Sequence, residues 1–135
     1  MRKTIFLGCL ILFLAANVLL NCASIPIKLL SQSDLPELKG KWNGFYQDRG
    51  GTYIQPVELE IFNGDLNGKI TFDHASRPPT SFPFNGKLEK GRIVYSWLEG
   101  QYIHLNFRKG EGKVKLEGNY RIQQWEGTIF LDKVK

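Results

Sequence analysis

Residues 57–72, VELEIFNGDLNGKITF, decide the fold of this 135-residue chain. Before Asn63-Gly64, valine, leucine and isoleucine alternate with glutamates, and after it leucine, glycine, isoleucine and phenylalanine alternate with polar residues. Alternation with a period of two predicts strands that bury one face, and Asn-Gly between two such strands predicts a tight hairpin. The stretch therefore predicts two antiparallel strands, each with one solvated face.

The same pattern continues along the chain on both sides of this hairpin. Turns that contain glycine follow at Lys90-Gly91, Glu99-Gly100 and Lys109–Gly112. From a first strand near Trp42 to a last one that starts at Trp125, we expect about eight strands joined mostly by tight turns. Eight consecutive antiparallel strands with one apolar face each close most economically into a small up-and-down barrel without edges. A two-sheet β-sandwich is the alternative.

The inward positions of these strands combine large aromatic residues with glycines. The aromatic residues are Trp42, Tyr46, Phe72, Phe84, Tyr95, Trp97, Phe107, Tyr120 and Trp125, and the glycines are Gly44, Gly68, Gly86, Gly118 and Gly127. A glycine inside a strand marks a sharp bend, a bulge or a large neighbour. One interpretation is a packed interior in which the rings fill the space beside the glycines. The other is a cavity for one small ligand. Its candidate binding residues are Trp42, Tyr46, Tyr95, Trp97, Tyr120 and Trp125.

The first 22 residues have the layout of a bacterial export signal. Arg2 and Lys3 precede an apolar run, Ile5–Leu20, and the sequence Leu19-Leu20-Asn21-Cys22 closes the segment. A charged start, an apolar middle and a cleavage site characterise such signals. The last four residues resemble the lipobox of bacterial lipoproteins, in which the cysteine is lipidated and becomes the first mature residue.

This resemblance implies a lipid anchor with palmitate on Cys22 and a place in the cell envelope. Asn21 departs from the motif, which favours alanine or glycine there. Ala23 is not an acidic retention signal, which favours the outer membrane. Two alternatives are secretion after cleavage behind Ala23 and an uncleaved anchor. For the latter, the 16 residues of Ile5–Leu20 are fewer than the roughly 20 of a spanning helix.

The expected organisation is a signal peptide at residues 1–21, a lipidated cysteine and tether at 22–38, and a β-barrel domain at 39–135. Prolines interrupt regular structure in the tether. Its leucines can nevertheless pack on the domain as a short helix; they are Leu29, Leu30, Leu35 and Leu38. The two cysteines, Cys9 and Cys22, both belong to the signal region, so the barrel has no disulfide and depends on its core.

The start of the first barrel strand carries a second resemblance. Gly40-Lys41-Trp42 resembles the Gly-x-Trp motif that opens lipocalins and related calycin barrels, and the domain has the size of an avidin-like barrel. In that family the tryptophan closes one barrel end, and a basic residue of the last strand packs on its ring as a cation–π contact. Arg121 and Lys133 are the candidates for that partner. The resemblance implies binding of a small apolar ligand in the barrel mouth.

The sequence does not predict an enzyme, a metal site, a cofactor or nucleic-acid binding. Zinc sites use clustered cysteines and histidines, whereas His74 and His104 lie thirty positions apart. No Gly-x-Ser-x-Gly motif presents a nucleophile. Removal of Arg2 and Lys3 with the signal lowers the basic residues from 18 to 16, against 13 acidic ones. The resulting net charge of +3 is not the footprint of a nucleic-acid-binding protein.

The expected function is that of a membrane-anchored binding module that holds a small apolar ligand in its barrel. The alternative is a surface lipoprotein that binds another protein through its outer face, as a ligand of a host factor or as an enzyme inhibitor, and has no ligand cavity. This alternative predicts that apolar residues outside the inward phase gather in one exposed patch. Those residues are Phe45, Ile54, Val94, Leu98, Tyr102 and Phe130.

Overall fold

The structure, a computed structural model, describes residues 24–63 and 65–135, which form ten strands and little helix. The signal peptide, Cys22 and Gly64 lie outside the described residues. The strands are β1 (Ile27–Lys28), β2 (Gly40–Asp48), β3 (Ile54–Ile61), β4 (Asn67–Phe72), β5 (Thr80–Asn85), β6 (Lys87–Glu89), β7 (Arg92–Leu98), β8 (Gln101–Gly110), β9 (Lys113–Ile122) and β10 (Trp125–Lys133). A 3₁₀ turn at Gln32–Asp34 and a helix α1 at Leu35–Leu38 precede β2.

Strands β2–β10 form a nearly closed antiparallel barrel, which confirms the predicted fold class. Neighbouring strands follow the order β5-β4-β3-β2-β10-β9-β8-β7-β6. Because β2 pairs with β10, the first and last barrel strands are neighbours, with Phe45 opposite Phe130. β1 pairs with the end of β8, where Ile27 lies opposite Arg108. Lys90 and Gly91 both have positive φ, 50° and 76°, as a type I′ hairpin turn requires.

The barrel keeps a seam beside β5, whereas the sequence predicted a sheet without edges. Phe82, Phe84, Gly86 and Leu88 alternate with other residues as in one strand, but the chain is divided at Gly86 into β5 and β6, and the strand order ends at these two strands. Side chains close the seam: the Tyr95 hydroxyl donates to the Pro83 carbonyl oxygen at 2.6 Å, and the Phe84 and Tyr95 ring centroids are 5.0 Å apart. Because Pro83 has no N–H, the free edge of β5 is a poor template for a further strand.

The turns divide between two ends of the barrel. The end we call the α1 end holds α1, the β3–β4 and β6–β7 turns, and the β8–β9 turn at Glu111-Gly112. The opposite end, the loop end, holds the long connection 73–79 and the β7–β8 turn at Glu99-Gly100. Leu30, Leu35 and Leu38 are buried against the barrel, while Leu29 is exposed.

Four of the five inward glycines lie against the backbone of a neighbouring strand rather than against rings. A β-carbon on Gly118 would stand 1.7 Å from the carbonyl oxygen of His104. The corresponding distance to a carbonyl oxygen of the neighbouring strand is 1.8 Å at Gly44, Gly68 and Gly127. At Gly86 alone of the five, a β-carbon would meet side chains. The glycines therefore allow close approach and sharp bending of strands at these four positions.

Candidate functional site

Trp42 closes the α1 end of the barrel. Its side chain is fully buried, and its indole Nε1 donates to the carbonyl oxygen of Leu38 at 2.9 Å. The Nζ atom of Lys133 lies 5.5 Å from the centroid of the Trp42 ring and donates to the carbonyl oxygen of Glu37. Of the two predicted basic partners, Lys133 is therefore the one on Trp42, because the guanidinium of Arg121 lies over another ring, that of Tyr102.

Tyr46 and Tyr120 lie inside the barrel near the loop end, with ring centroids 5.8 Å apart. The Tyr46 hydroxyl donates to the carbonyl oxygen of Asp73 at 2.6 Å, and the Tyr120 hydroxyl donates to that of Gln47 at 3.3 Å. Burial raises the pKa of Tyr120 to about 12 and the pKa of Tyr46 further above its ordinary value. Both hydroxyls thus stay protonated at neutral pH and serve as hydrogen-bond donors.

His74 holds the long loop against the barrel. Its Nδ1 lies 3.3 Å from the Tyr46 hydroxyl oxygen, and its Nε2 lies 3.0 Å from Oγ1 of Thr80. Burial lowers the pKa of His74, and the charge of Arg77 lowers it further. Within residues 24–63 and 65–135, no group of three histidines, cysteines, aspartates or glutamates is arranged to hold a metal ion.

Tyr95 and Trp97 lie at the seam. Their ring centroids are 4.9 Å apart, and Trp97 stacks on Phe82 with 6.3 Å between centroids. Tyr95 is buried, and Trp97 packs partly buried against the core. The two side chains thus join β7 to β5 where backbone hydrogen bonds do not.

Trp125 is not inside the barrel, so its predicted inward position is wrong. Its side chain is 53% exposed at the first position of β10, and buried residues on this strand begin at Ile129. Trp125 has the same alternation phase as the inward residues Ile129 and Leu131, but the start of β10 projects beyond the edge of the core. Of the six candidate ligand-binding residues, five face the core; their role in binding stays a prediction.

The outer side of β2, β3 and β10 carries an apolar patch. Phe45 and Phe130 lie opposite each other in the β2–β10 pairing, and their rings stack with centroids 4.9 Å apart. Pro56 lies opposite Phe45 on β3, and Ile54 points to the same side two positions earlier. Phe45 is 41% and Ile54 51% exposed. Three of the six residues that the sequence singled out for the outer face therefore come together.

The other three residues of that set lie apart from the apolar patch. Val94 is buried, and Leu98 is exposed at the loop end of β7. Tyr102 stacks on His104 of the same strand at 4.4 Å between centroids, and the guanidinium of Arg121 lies 5.8 Å from the Tyr102 centroid. Burial lowers the pKa of His104, and the charge of Arg92 lowers it further.

Next to the apolar patch, an open depression of about 340 Å³ spans β8, β9 and β10. It is lined by Arg49, Tyr102, Asn119, Tyr120, Arg121, Glu126, Gly127 and Thr128. The Glu126 carboxylate accepts hydrogen bonds from Arg121 at 2.7 Å and from Arg49 at 2.9 Å, and these bonds lower its pKa. Thr128 comes two positions before Phe130 on the same side of β10, so the depression and the patch adjoin.

We call this surface the outer face: the apolar patch Phe45, Ile54, Pro56 and Phe130 together with the depression. The period of two was enough to place Phe45 and Phe130 outside the barrel. Arg49 and Glu126 were missed because they lie 77 positions apart in the chain and meet only through the β2–β10 register. Arg49 and Glu126 could have been found only by predicting that β2 and β10 are neighbouring strands.

Comparisons with protein-family models, curated proteins and solved structures found no match to this chain. In the part of the chain that the structure describes, no helix has the length and hydropathy needed to cross a membrane.

Proposed function

We propose that this protein is a lipid-anchored β-barrel of the cell envelope that binds a protein partner through its outer face. The observation that carries the binding role is the stacked pair of the exposed Phe45 and the partly buried Phe130, beside the depression that contains Tyr102 and Arg121. The lipobox-like sequence that ends at Cys22 supports the anchor.

The composition of the outer face is that of an interaction site. Single exposed apolar residues are ordinary on protein surfaces, but contiguous ones mark binding sites. Aromatic residues and arginine are enriched at protein interfaces and at their energetic hot spots. Here Phe45 and Phe130 are held on paired strands, and Arg121 is oriented by Tyr102 and Glu126. The partner therefore meets side chains whose positions are already set.

The interior of the barrel favours binding of a protein at the outer face over binding of a small apolar ligand inside the barrel. Trp42 is buried in the α1 end, and the Tyr46 hydroxyl ties the long loop across the other end. Within the barrel the Tyr46 ring packs on Phe72, with centroids 5.0 Å apart, and on Tyr120. A ligand would have to displace these contacts before it could enter.

Site-specific photo-crosslinking tests the outer face. The photoreactive amino acid p-benzoylphenylalanine replaces Phe45 in one variant and Leu98 in the control, which is exposed at the loop end of the barrel. In producing cells, we expect one discrete conjugate with another protein from position 45 and none from position 98. Adding Arg121→Ala should reduce that conjugate about tenfold, as loss of a hot-spot residue does. No conjugate from position 45, or equal yields from both positions, would contradict the proposal.

Metabolic labelling with a palmitate analogue tests the anchor. Wild type and Cys9→Ala should incorporate the label, because the lipobox-like sequence ends at Cys22. Cys22→Ala should lose the label and leave the membrane fraction. Persistent labelling of Cys22→Ala would exclude this cysteine as the lipid attachment site.

A further inference from the structure

We propose that the α1 end of the barrel rests on the bilayer that holds the anchor, with Leu29 and Ile27 inserted at the boundary of lipid headgroups and acyl chains. The inference depends on the membrane attachment proposed above. It adds a second contact with the membrane and fixes which end of the barrel faces it.

The chain leaves the barrel at the α1 end. The Ile25 carbonyl oxygen accepts a hydrogen bond from Nη1 of Arg108 at 2.7 Å, and the Pro26 carbonyl oxygen accepts one from the Lys109 N–H at 3.4 Å. These bonds hold the segment beside the end of β8. From Ser24 to Cys22 the chain is two residues long, which spans at most about 7 Å. A lipid on Cys22 therefore keeps this end of the barrel next to the membrane surface.

Exposed apolar side chains occur at both ends of the barrel, and the most exposed of them lies at the α1 end. Of the eight large apolar residues that are exposed in the described part of the chain, four belong to the α1 end: Ile27, Leu29, Phe62 and Val134. Leu29 is the most exposed of the eight, at 72%. Phe62 follows β3, and Val134 follows β10, so these residues are distributed around the rim of the barrel.

The backbone holds Leu29 in place even though its side chain is exposed. The N–H of Leu30 donates to the carbonyl oxygen of Gly91 at 2.8 Å, and the Leu30 side chain is buried. On the other side, β1 is paired with β8, and the Ile27 side chain is 49% exposed. A fixed apolar pair at the point where the chain approaches a membrane has the bilayer as its nearest apolar surroundings.

Charge contributes little to this contact. Exposed basic residues on the turns and termini of the α1 end exceed the exposed acidic ones by only two; they are Lys39, Lys90, Arg92, Lys113 and Lys135 against Asp65, Glu89 and Glu111. Lys28 forms a salt bridge with Asp34 at 2.5 Å, and Lys109 forms one with Glu37 at 2.7 Å. Apolar insertion, which does not depend on anionic lipid, therefore determines the orientation.

Tryptophan quenching in vesicles tests the inference. Full-length protein is isolated from membranes with its native N-terminus and reconstituted into phosphatidylcholine vesicles whose acyl chains are brominated near the headgroup. Leu29→Trp adds a fluorophore at the proposed contact, and Leu98→Trp adds one at the loop end at a position that is also highly exposed, 62%. The wild-type signal is subtracted. We expect bromine to reduce the added emission of Leu29→Trp at least about twofold, because inserted side chains lie 5–10 Å deep, and to leave that of Leu98→Trp unchanged.

The outcomes separate this inference from the function on which it depends. Protein that floats with the vesicles but shows no quenching of Leu29→Trp, or equal quenching of both variants, overturns the orientation and leaves the anchor intact. Protein that stays out of the vesicle fraction overturns the attachment and the orientation with it. Circular dichroism of both variants confirms that the barrel is folded; both replaced side chains are exposed.

Discussion

Replacing Trp42 by alanine is expected to lower the free energy of unfolding by about 3–5 kcal/mol, the usual cost of removing a buried tryptophan. Trp42 is fully buried, so the substitution opens a large cavity at the α1 end. It also leaves the carbonyl oxygen of Leu38 without its indole donor and removes the ring below Lys133. Equilibrium urea unfolding measures the change, provided that the denaturant dependence stays the same.

Trp125→Ala is the matched control for this prediction, because the same side chain is removed from an exposed position. It should cost less than about 1 kcal/mol, as surface substitutions do. Trp42→Phe keeps an aromatic ring but no N–H donor, so its cost should lie between the two. A Trp42→Ala cost below about 1 kcal/mol would mean that Trp42 does not belong to the core.

The barrel could be predicted from the sequence because each long strand has one apolar and one solvated face. The stretch from Val57 to Phe72 gives two such strands, and the structure pairs them with Leu59 opposite Ile70. The resemblance to calycin barrels named Lys133 as one of two partners for Trp42, and the structure places Lys133 opposite Trp42 in the β2–β10 pairing. Local pattern and strand order thus determine most of this fold.

The departures arise where packing between distant strands overrides the local pattern. The alternation continues through Gly86, but the backbone there turns from β5 into β6 and donates its N–H to Leu66 instead of to a strand partner. Trp125 has the alternation phase of an inward residue, but it lies beyond the edge of the core and is exposed. The alternation within a single strand shows neither where the core ends nor how the sheet closes.

The outer face was only half predictable for the same reason. Alternation places Phe45 and Phe130 outside the barrel, but nothing local shows that these residues, 85 positions apart, stack on each other. The depression also requires the register, since Arg121 lies opposite Glu126 on β10 and opposite Tyr102 on β8. A site built across strands becomes visible only when the strand order is known.

Gly118→Ala is expected to destabilise the barrel by about 3 kcal/mol or more, although it adds a single methyl group to a strand. The new β-carbon would stand 1.7 Å from the carbonyl oxygen of His104 and 3.0 Å from the α-carbon of Leu105, both of them backbone atoms of β8. A flexible side chain could rotate away, but a paired strand cannot. The β8–β9 pairing must therefore separate locally and lose hydrogen bonds.

The control is Gly50→Ala in the β2–β3 turn, where the nearest atom to a new β-carbon is 3.5 Å away, in the Thr52 side chain. That substitution should change stability by less than about 1 kcal/mol, because the alanine fits and restricts the unfolded chain. Urea unfolding of both variants, together with amide hydrogen exchange along β8, measures the difference. Equal stability of the two variants would show that β8 and β9 are not in the close contact that bends the barrel, and that Gly118 has another role.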